Sequence, residues 1–391
     1  MRNPFITSFL PLTFMRILQL SSALPEDRFS TEQLMEAFPC QLPEKVKENI
    51  RNLGVSHRHL IDNAVTRSKS GRVTAEAALI DLCIGACRKA VEKSGLSVKD
   101  VGYFIAAYDV NPFLSPGLSQ LVVRQIGFSP YVKHVNVQGI ASTAFPKALE
   151  LAQDHLGRHP NDHVLICVSG VSSFWFQNQV QGLTNIMEVS QIGKLTNKAQ
   201  KQLELQKWIA TMQYFLFGDG AVACIVGKKK GDFSVGRIVE ATNIGKRDYL
   251  AGCSMLRALD EPFKFGFYSY LGKEIPELGA KYTTLALKKL LGKDFENQIK
   301  AAKKWAVHTG SEKILKAIAE RHGIQENRLK ESHQILREYG NLAGASLPFI
   351  LEKILSTNTF TDGDVIMMVG YGWGFSAAAT MLKYATEKTS A

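Results

Sequence analysis

Two kinds of hydrophobic pattern alternate along this chain. Continuous apolar runs of strand length occupy residues 101–108, 163–168, 221–226 and 365–369. Longer stretches with helical spacing lie between them. Continuous apolar strands are typical of sheets that are covered on both faces. The alternation therefore predicts an α/β architecture in which the sheets lie between layers of helices.

The clearest helix is predicted over residues 75–94. Thr74 is a favoured N-cap residue, and Gly95 supplies a stop signal. Apolar side chains such as Ile80 and Ile84 spread most of the way around this helix, so we expect it to be buried.

The N-terminal segment predicts a strand over residues 16–22, followed by helices over residues 31–38 and 43–53. Its first twenty residues are apolar, but two prolines interrupt them and no small-residue cleavage site follows cleanly. We interpret the start as a short tail plus a first strand, and not as a signal peptide.

Two internal echoes indicate a duplicated chain. Pro146-Lys-Ala-Leu-Glu150 reappears as Pro348-Phe-Ile-Leu-Glu352, in each case inside a predicted helix. Asp219-Gly220 reappears as Asp362-Gly363, in each case before an apolar strand. The echoes follow in the same order and predict two related halves, divided near residue 230.

A glutamine-rich, helix-favouring stretch within residues 176–213 has no counterpart in the second half. We interpret it as an insertion. It either caps a pocket or binds a partner, or it is a helical decoration of the surface.

The formal net charge of +11 favours anionic partners. No nucleic-acid motif accompanies it. An acidic carrier protein or the phosphates of coenzyme A would fit as well as nucleic acid, charge alone does not choose between them, and a solvated face is the other interpretation. No apolar run is long enough to span a membrane. The six cysteines have no metal-ligand spacing. We therefore expect reduced thiols, a buried pair at Cys83 and Cys87, no metal and a cytoplasmic location.

Three polar residues stand where chemistry is often found. Ser142 lies between an apolar strand and a helix, so it is either an N-cap or a nucleophile favoured by the helix terminus. His308 ends an apolar strand, which is where α/β enzymes often place site residues, although a structural role is open. Asn341 precedes a helix of small residues and is either a cap or a site residue. The glycines within residues 370–374 allow a close backbone approach, but their spacing is not that of a dinucleotide-binding loop.

Seven segments in order resemble the ketoacyl-synthase III and type III polyketide synthase families. LGVSHR at 53–58 is similar to "TGI..R", and residues 137–152 are similar to the nucleophile segment. LFGDGA at 216–221 matches the family segment, and GKE at 272–274 is similar to the segment before a long helix. VHTG at 307–310, YGNLAGA at 339–345 and GYGWG at 370–374 resemble "AHPGG", "YGNMSSA" and "GFGPG".

The resemblance implies the five-layered αβαβα thiolase fold of two duplicated halves, usually as a homodimer. Residues 1–230 would carry the nucleophile and the insertion at 176–213, and residues 231–391 would carry the histidine and the asparagine. By position, Ser142 would accept the acyl group. His308 and Asn341 would donate hydrogen bonds to the thioester oxygen of the second substrate.

The resemblance also implies residues that contact substrate. Phe217 would stand between tunnel and cavity, while Gly374 and its neighbour Gly372 would form cavity wall and supply a backbone N–H. No tryptophan marks a coenzyme A stacking position, so Lys47, Arg51 and Arg58 are the remaining candidates for phosphate. Delivery by an acyl carrier protein is as plausible as delivery by coenzyme A. No further cofactor is expected. Cys167 has a family counterpart and is interpreted as structural.

Serine at the nucleophile position departs from the family's cysteine. A thiol at a helix terminus ionises readily, whereas a hydroxyl needs a neighbouring base, for which His308 is the family-placed candidate. The sequence predicts an acyltransferase in secondary metabolism that acylates Ser142 and then performs simple acyl transfer or slow condensation. The alternative is a non-catalytic partner of a cysteine-bearing paralogue, in a heterodimer.

Overall fold

The computed structural model describes residues 15–61, 75–108, 115–229, 231–243, 245, 248, 251–256 and 267–385. The predicted cap at Thr74 lies outside these ranges. The strands are β1 (Met15–Ala23), β2 (Arg28–Ser30), β3 (His57–His59), β4 (Val101–Tyr108), β5 (Lys133–Val137), β6 (His163–Gly170), β7 (Gly220–Gly227), β8 (Phe233–Val235), β9 (Val239–Thr242), β10 (Gly252–Leu256), β11 (Phe267–Leu271), β12 (Lys304–Val307), β13 (Val365–Gly372) and β14 (Ser376–Tyr384).

The α-helices match the predicted ones closely in the first half. They are α1 (Thr31–Glu36), α2 (Glu44–Arg51), α3 (Ala75–Ser94), α4 (Leu118–Ile126), α5 (Ala144–Arg158), α6 (Ser173–Val180), α7 (Val189–Lys194), α8 (Lys198–Leu216), α9 (Ile275–Leu291), α10 (Phe295–Ala301), α11 (Glu312–His322), α12 (Glu326–Tyr339) and α13 (Ser346–Thr357). None of the helices in these ranges is long and apolar enough to cross a membrane.

Ten strands form one hydrogen-bonded system with the order β12-β13-β14-β8-β1-β7-β6-β4-β5, and β9 pairs with β14. The short strand β8 pairs with β14 on one side and with β1 on the other, so it joins the strands of the two halves. In the first half β4 and β6 are parallel, and β6 and β7 are antiparallel. In the second half β12 and β13 are parallel, and β13 and β14 are antiparallel.

The hydrophobic core is divided into layers. One cluster holds α5, α13 and the inward side chains of both sets of strands, for example Ile105 and Met368. The alternate side chains of the same strands face outward: Phe104 packs under α3 and α4, and Met367 packs under α9 and α11. The two layers of strands are therefore separated by a central layer of helices, and each is covered on its outer side by a further layer of helices. The predicted αβαβα architecture is confirmed.

Helix α3 is one of the outer helices. Its buried side chains recur at helical spacing, for example at Leu79, Cys83 and Cys87, but Asp81, Arg88 and other residues face solvent. The prediction that it is buried all round is therefore wrong. Its solvent face is polar, while only the opposite stripe packs on the sheet.

The first internal echo reflects a structural repeat. Pro146 and Pro348 lie in the first turns of α5 and α13, and each helix follows a short 3₁₀ helix whose first residue, Ala141 or Ala343, has a positive φ (47° and 48°). Because 202 residues separate both pairs, and also separate the first residues of β6 and β13, the two segments are equivalent.

The second echo pairs strands that are not equivalent. It matches β7 with β13, but β13 is parallel to β12 and antiparallel to β14, which makes it the counterpart of β6. The Asp-Gly similarity therefore has no structural basis, although the duplication does. The division near residue 230 stays a prediction.

Candidate active site

Ser142 lies in the 3₁₀ helix Ala141–Thr143, directly before α5. The N-cap positions of this 3₁₀ helix and of α5 are Ile140 and Thr143, and neither has a side-chain capping bond. The interpretation of Ser142 as an N-cap is therefore wrong. Its hydroxyl lies at a helix N-terminus, where free N–H groups favour negative charge, without serving as the cap.

Two glycines of β13 hold the backbone of this turn. A Cβ on Gly370 would lie 2.5 Å from the Ser142 carbonyl oxygen, and one on Gly372 would lie 2.8 Å from the Ser142 nitrogen. Only glycine allows so close an approach. Gly374 has a positive φ of 102° with open space beside it, and its carbonyl accepts a hydrogen bond from Asn243. Gly372 is thus in contact with the Ser142 turn, whereas Gly374 lies in the loop beyond it.

His308 follows β12 and faces the same strand end. Its backbone N–H donates to the Val369 carbonyl at 3.0 Å. Its imidazole ring contacts the Tyr371 ring edge-to-face, with 5.1 Å between the ring centroids. The imidazole is 3% exposed, its Nδ1 has no hydrogen-bond partner, and burial lowers the pKa of His308 to about 3. The ring is therefore neutral near pH 7. A group with so low a pKa is a weak general base but can still donate a hydrogen bond.

Tyr371 is a site residue that the sequence did not reveal. Its hydroxyl oxygen accepts from the Gly310 N–H at 3.1 Å, and its ring contacts His308. Burial raises the pKa of Tyr371, so the hydroxyl keeps its proton. In the sequence, Tyr371 lies between Gly370 and Gly372. An aromatic residue between two glycines of the site was the signal that could have identified it. Tyr371 fixes the ring of His308 and the backbone that follows it.

The side-chain amide of Asn341 forms hydrogen bonds with backbone groups on two sides. Its Oδ1 accepts from the Ala343 N–H at 2.9 Å, and its Nδ2 reaches the Gly310 carbonyl at 3.5 Å. The amide supports the turn locally, but the N-cap positions of the two helices that follow are Leu342 and Ala345, so Asn341 is not the cap. Because Oδ1 is directed to the turn, Nδ2 is the end that faces the segment following His308.

Phe217 adjoins Asn341 through the backbone. The Gly218 N–H donates to the Asn341 carbonyl at 3.1 Å, and the Asn341 N–H donates to the Leu216 carbonyl at 2.9 Å. The Phe217 ring packs on Phe176, with 5.0 Å between centroids. The end of α8 and the turn at Asn341 are therefore one unit.

The aspartate of the LFGDGA segment has a structural role. Asp219 is buried, and its carboxylate accepts from the backbone N–H groups of Ile61, Ser172 and Ser173 at 2.9–3.1 Å. It ties the start of α6 to the chain after β3.

The candidates for phosphate binding separate into two groups. Arg58 is fully buried: Nη2 donates to Thr31 at 2.7 Å, Nε and Nη1 have no partner, and the guanidinium lies 5.9 Å from the centre of the Phe215 ring. It cannot meet a phosphate from solvent, so this part of the expectation is wrong. The resemblance identified the arginine but not its burial.

Lys47 and Arg51 lie on α2 and reach the surface. Lys47 pairs with Glu44 at 2.7 Å, and Arg51 forms a two-point contact with Glu32 at 3.1 and 3.2 Å. Exposed pairs of this kind contribute little to stability, so both cations can exchange partners for a phosphate. Arg51 also lines a cleft of about 920 Å³ beside α1, α2 and α12.

Four of the six cysteines lie in the core, where they offer no alternative nucleophile. Cys83, Cys87 and Cys167 are buried together under α3, and Cys167 donates to the Cys83 carbonyl at 3.9 Å. Hydrogen bonding to Cys167 and burial raise the pKa of the Cys83 thiol. A structural role for Cys167 fits its place in the core. Within the described ranges, no group of His, Cys, Asp or Glu is arranged to hold a metal.

We expect the free energy of unfolding to fall by about 2 kcal/mol for each of two histidines between pH 7 and pH 5. Burial lowers the pKa of His308 to about 3 and, with Arg321 nearby, that of His322 to about 4. The unfolded chain protonates below about pH 6.5 while the folded chain does not, so stability is lost as pH falls from there towards these values.

Urea denaturation at the two pH values measures this effect. In His308→Gln the loss should be smaller by about 2 kcal/mol, because one titrating group is gone. An equal loss in the wild type and in this variant would show that His308 titrates normally.

Comparison with known proteins shows what the chain is similar to. Residues 298–384 match the family 3-oxoacyl-[acyl-carrier-protein] synthase III, C terminal. A 3,5-dihydroxyphenylacetyl-CoA synthase of Amycolatopsis orientalis is 21% identical over 91% of this chain and 90% of that protein. A β-ketoacyl-[acyl-carrier-protein] synthase III of Chlamydia pneumoniae is 25% identical over 88% and 94%.

Solved structures agree on the fold. The 1,3,6,8-tetrahydroxynaphthalene synthase from Streptomyces coelicolor, a bacterial type III polyketide synthase, superposes with a TM-score of 0.76 at 19% identity over 95% of this chain and 99% of that one. The chain is therefore similar in sequence to these synthases and shares the fold of a type III polyketide synthase.

Proposed function

We propose that this protein transfers an acyl group from an acyl-CoA or acyl-carrier-protein thioester to Ser142 and from there to an acceptor. In the first step the Ser142 oxygen attacks the thioester carbonyl, a C–O bond forms, the C–S bond breaks, and the leaving sulfur takes up the hydroxyl proton as a thiol. In the second step an alcohol, amine or thiol attacks the ester carbonyl, the C–O bond to Ser142 breaks, and the serine oxygen takes up the proton that the nucleophile loses. In a condensation the nucleophile is instead the carbanion left when a malonyl-type thioester loses CO₂, and the serine oxygen takes its proton from solvent.

The observation that carries this proposal is the way Ser142 is held. It is 5% exposed, it follows a residue of positive φ, and β13 glycines contact its backbone, yet its hydroxyl is not used as a cap. Strained turns that hold a reactive side chain at a helix N-terminus are typical of active sites. The equivalent turn of the second half has the same geometry with Gly344 in place of the serine, so the buried hydroxyl is what distinguishes the turn of the first half.

His308 and Asn341 are proposed as hydrogen-bond donors to the thioester oxygen. The pKa of about 3 for His308 favours the neutral, donating imidazole over a base that removes the Ser142 proton. A positioned base is typically worth about 10²–10⁴ in rate. We therefore expect slow acylation, and simple acyl transfer as the main outcome, with carbon–carbon condensation slower still.

A second candidate function also rests on the low pKa of His308, which leaves Ser142 without a strong base. Ser142 lacks the ready ionisation of a thiol, and the buried Nδ1 of His308 has no carboxylate to orient it. A non-catalytic subunit that pairs with a cysteine-bearing paralogue would have both features. We propose a homodimer for the enzyme and this heterodimer for the alternative.

Intact-protein mass spectrometry after incubation with acyl-CoA and acyl-carrier thioesters decides between the two. The proposed enzyme should gain the mass of one acyl group per chain from at least one donor. Charge reversal at Arg51 and Lys47 should weaken acylation from coenzyme A donors if these residues bind its phosphates. No adduct from any donor, with acyl transfer appearing only beside a cysteine-bearing paralogue, would favour the partner subunit.

A further inference from the structure

One face of α8 carries two glutamines and ends at Phe217. Gln206, Gln213 and Phe217 are spaced by seven and four residues, which places them along one side of the helix. Gln206 and Gln213 are 4% and 1% exposed. The insertion that contains them is therefore not a surface decoration, since α8 is buried along much of its length.

Gln206 uses its amide fully. Its Nε2 donates to the Ser269 carbonyl at 2.6 Å, and its Oε1 accepts from the Ser269 N–H at 3.1 Å. Ser269 belongs to β11, which pairs with β10, and the first residue of β10, Gly252, lies against Trp373 in the loop that follows Gly372. Helix α8 thus connects the β10–β11 hairpin at Gln206 with the site at Phe217.

Gln213 lies between these two points, and neither atom of its amide has a hydrogen-bond partner among the residues that the structure describes. A buried amide without partners destabilises the folded protein, so few are retained without a reason. Thr309 Oγ1, His308 Nδ1 and Ser172 Oγ are buried and unpartnered as well. The elements around the site therefore present several polar groups that the protein itself does not satisfy.

We propose that Gln213 binds a substrate group that both donates and accepts hydrogen bonds, such as a hydroxyl or a carboxamide. This rests on the proposed function, because it assumes that a thioester substrate enters beside Phe217. The group belongs either to the acyl chain or to the amides of the pantetheine arm. In both cases Gln213 is a specificity-determining residue of the insertion.

The test uses S-alkyl pantetheine thioethers, which bind without transferring an acyl group, so its result does not depend on acylation of Ser142. Three tails of matched length are compared: alkyl, hydroxyalkyl and carbamoylalkyl. The variants are Gln213→Met, which keeps the side-chain size, and Gln206→Met as the control with satisfied hydrogen bonds. Affinity is measured by calorimetry and stability by thermal unfolding without ligand.

Gln213→Met should raise the ligand-free Tm by about 2–4 °C, since it removes an unsatisfied buried amide, whereas Gln206→Met should lower it. If the acyl chain supplies the group, wild type should prefer the polar tails by about tenfold and Gln213→Met should lose that preference. If the pantetheine arm supplies it, Gln213→Met should weaken all three thioethers equally. Unchanged affinity for every thioether in Gln213→Met overturns the proposal.

Discussion

Replacing Ser142 by alanine should abolish acylation, while Ser142→Cys should keep or raise it. Alanine removes the hydroxyl that we propose as the nucleophile at the N-terminus of α5. Cysteine restores a group that ionises at a helix terminus, and its thioester is more electrophilic than the serine ester. With His308 neutral and weakly basic, the gain from a thiolate should be largest in carbon–carbon condensation.

The neighbouring hydroxyl provides the control. Thr143 Oγ1 donates to the Ile140 carbonyl at 2.6 Å, so it is committed to the turn. Thr143→Ala should retain the acyl adduct in intact-mass measurements, even if the turn is less stable. Product formation by the native system that survives Ser142→Ala would return the protein to the role of a partner subunit.

The secondary structure was largely predictable because its signals are local. The helix over residues 75–94 and the strand over residues 101–108 have the predicted bounds, since Gly95, at φ 70°, separates two segments of different period. The exposed face of α3 was not predictable in the same way. Small residues such as Gly85 and Ala77 widen the apparent apolar face, although the sheet covers only one side.

The motifs singled out the segments of Ser142, His308 and Asn341, and in the structure contacts of Gly370, Val369 and Gly310 bring these segments together at the end of β13. The catalytic roles of the three residues stay predictions. Burial and charge could not be derived from the motifs. The same resemblance that located His308 and Arg58 gave neither the low pKa of the histidine nor the burial of the arginine.

The duplicated halves contact each other reciprocally at this site. Gly370 and Gly372 of the second half pack on the turn of Ser142, and Gly170 of the first half packs on the Leu342 carbonyl, beside Asn341. Gly170 and Gly372 are 202 residues apart, as are Ala141 and Ala343. Each half thus holds the other's helix-start turn with a strand-end glycine.

Gly170→Ala should therefore destabilise the protein severely and displace Asn341. The new Cβ would overlap the Leu342 carbonyl oxygen, and both atoms belong to buried backbone that has no flexible side chain to move aside. Overpacking of this kind typically costs about 1–3 kcal/mol and more where backbone must shift, which is a large part of the usual stability of a domain.

Gly157→Ala in α5 is the matched control, because nothing lies within 4 Å of its added Cβ and alanine favours a helix by about 0.5–1 kcal/mol. Thermal unfolding should show a large fall in Tm for Gly170→Ala and none for Gly157→Ala. Since Leu342 adjoins Asn341, acylation in the folded fraction of Gly170→Ala should also decrease. Equal Tm values for the two variants would mean that the strand-end glycine is not what holds the opposite half in place.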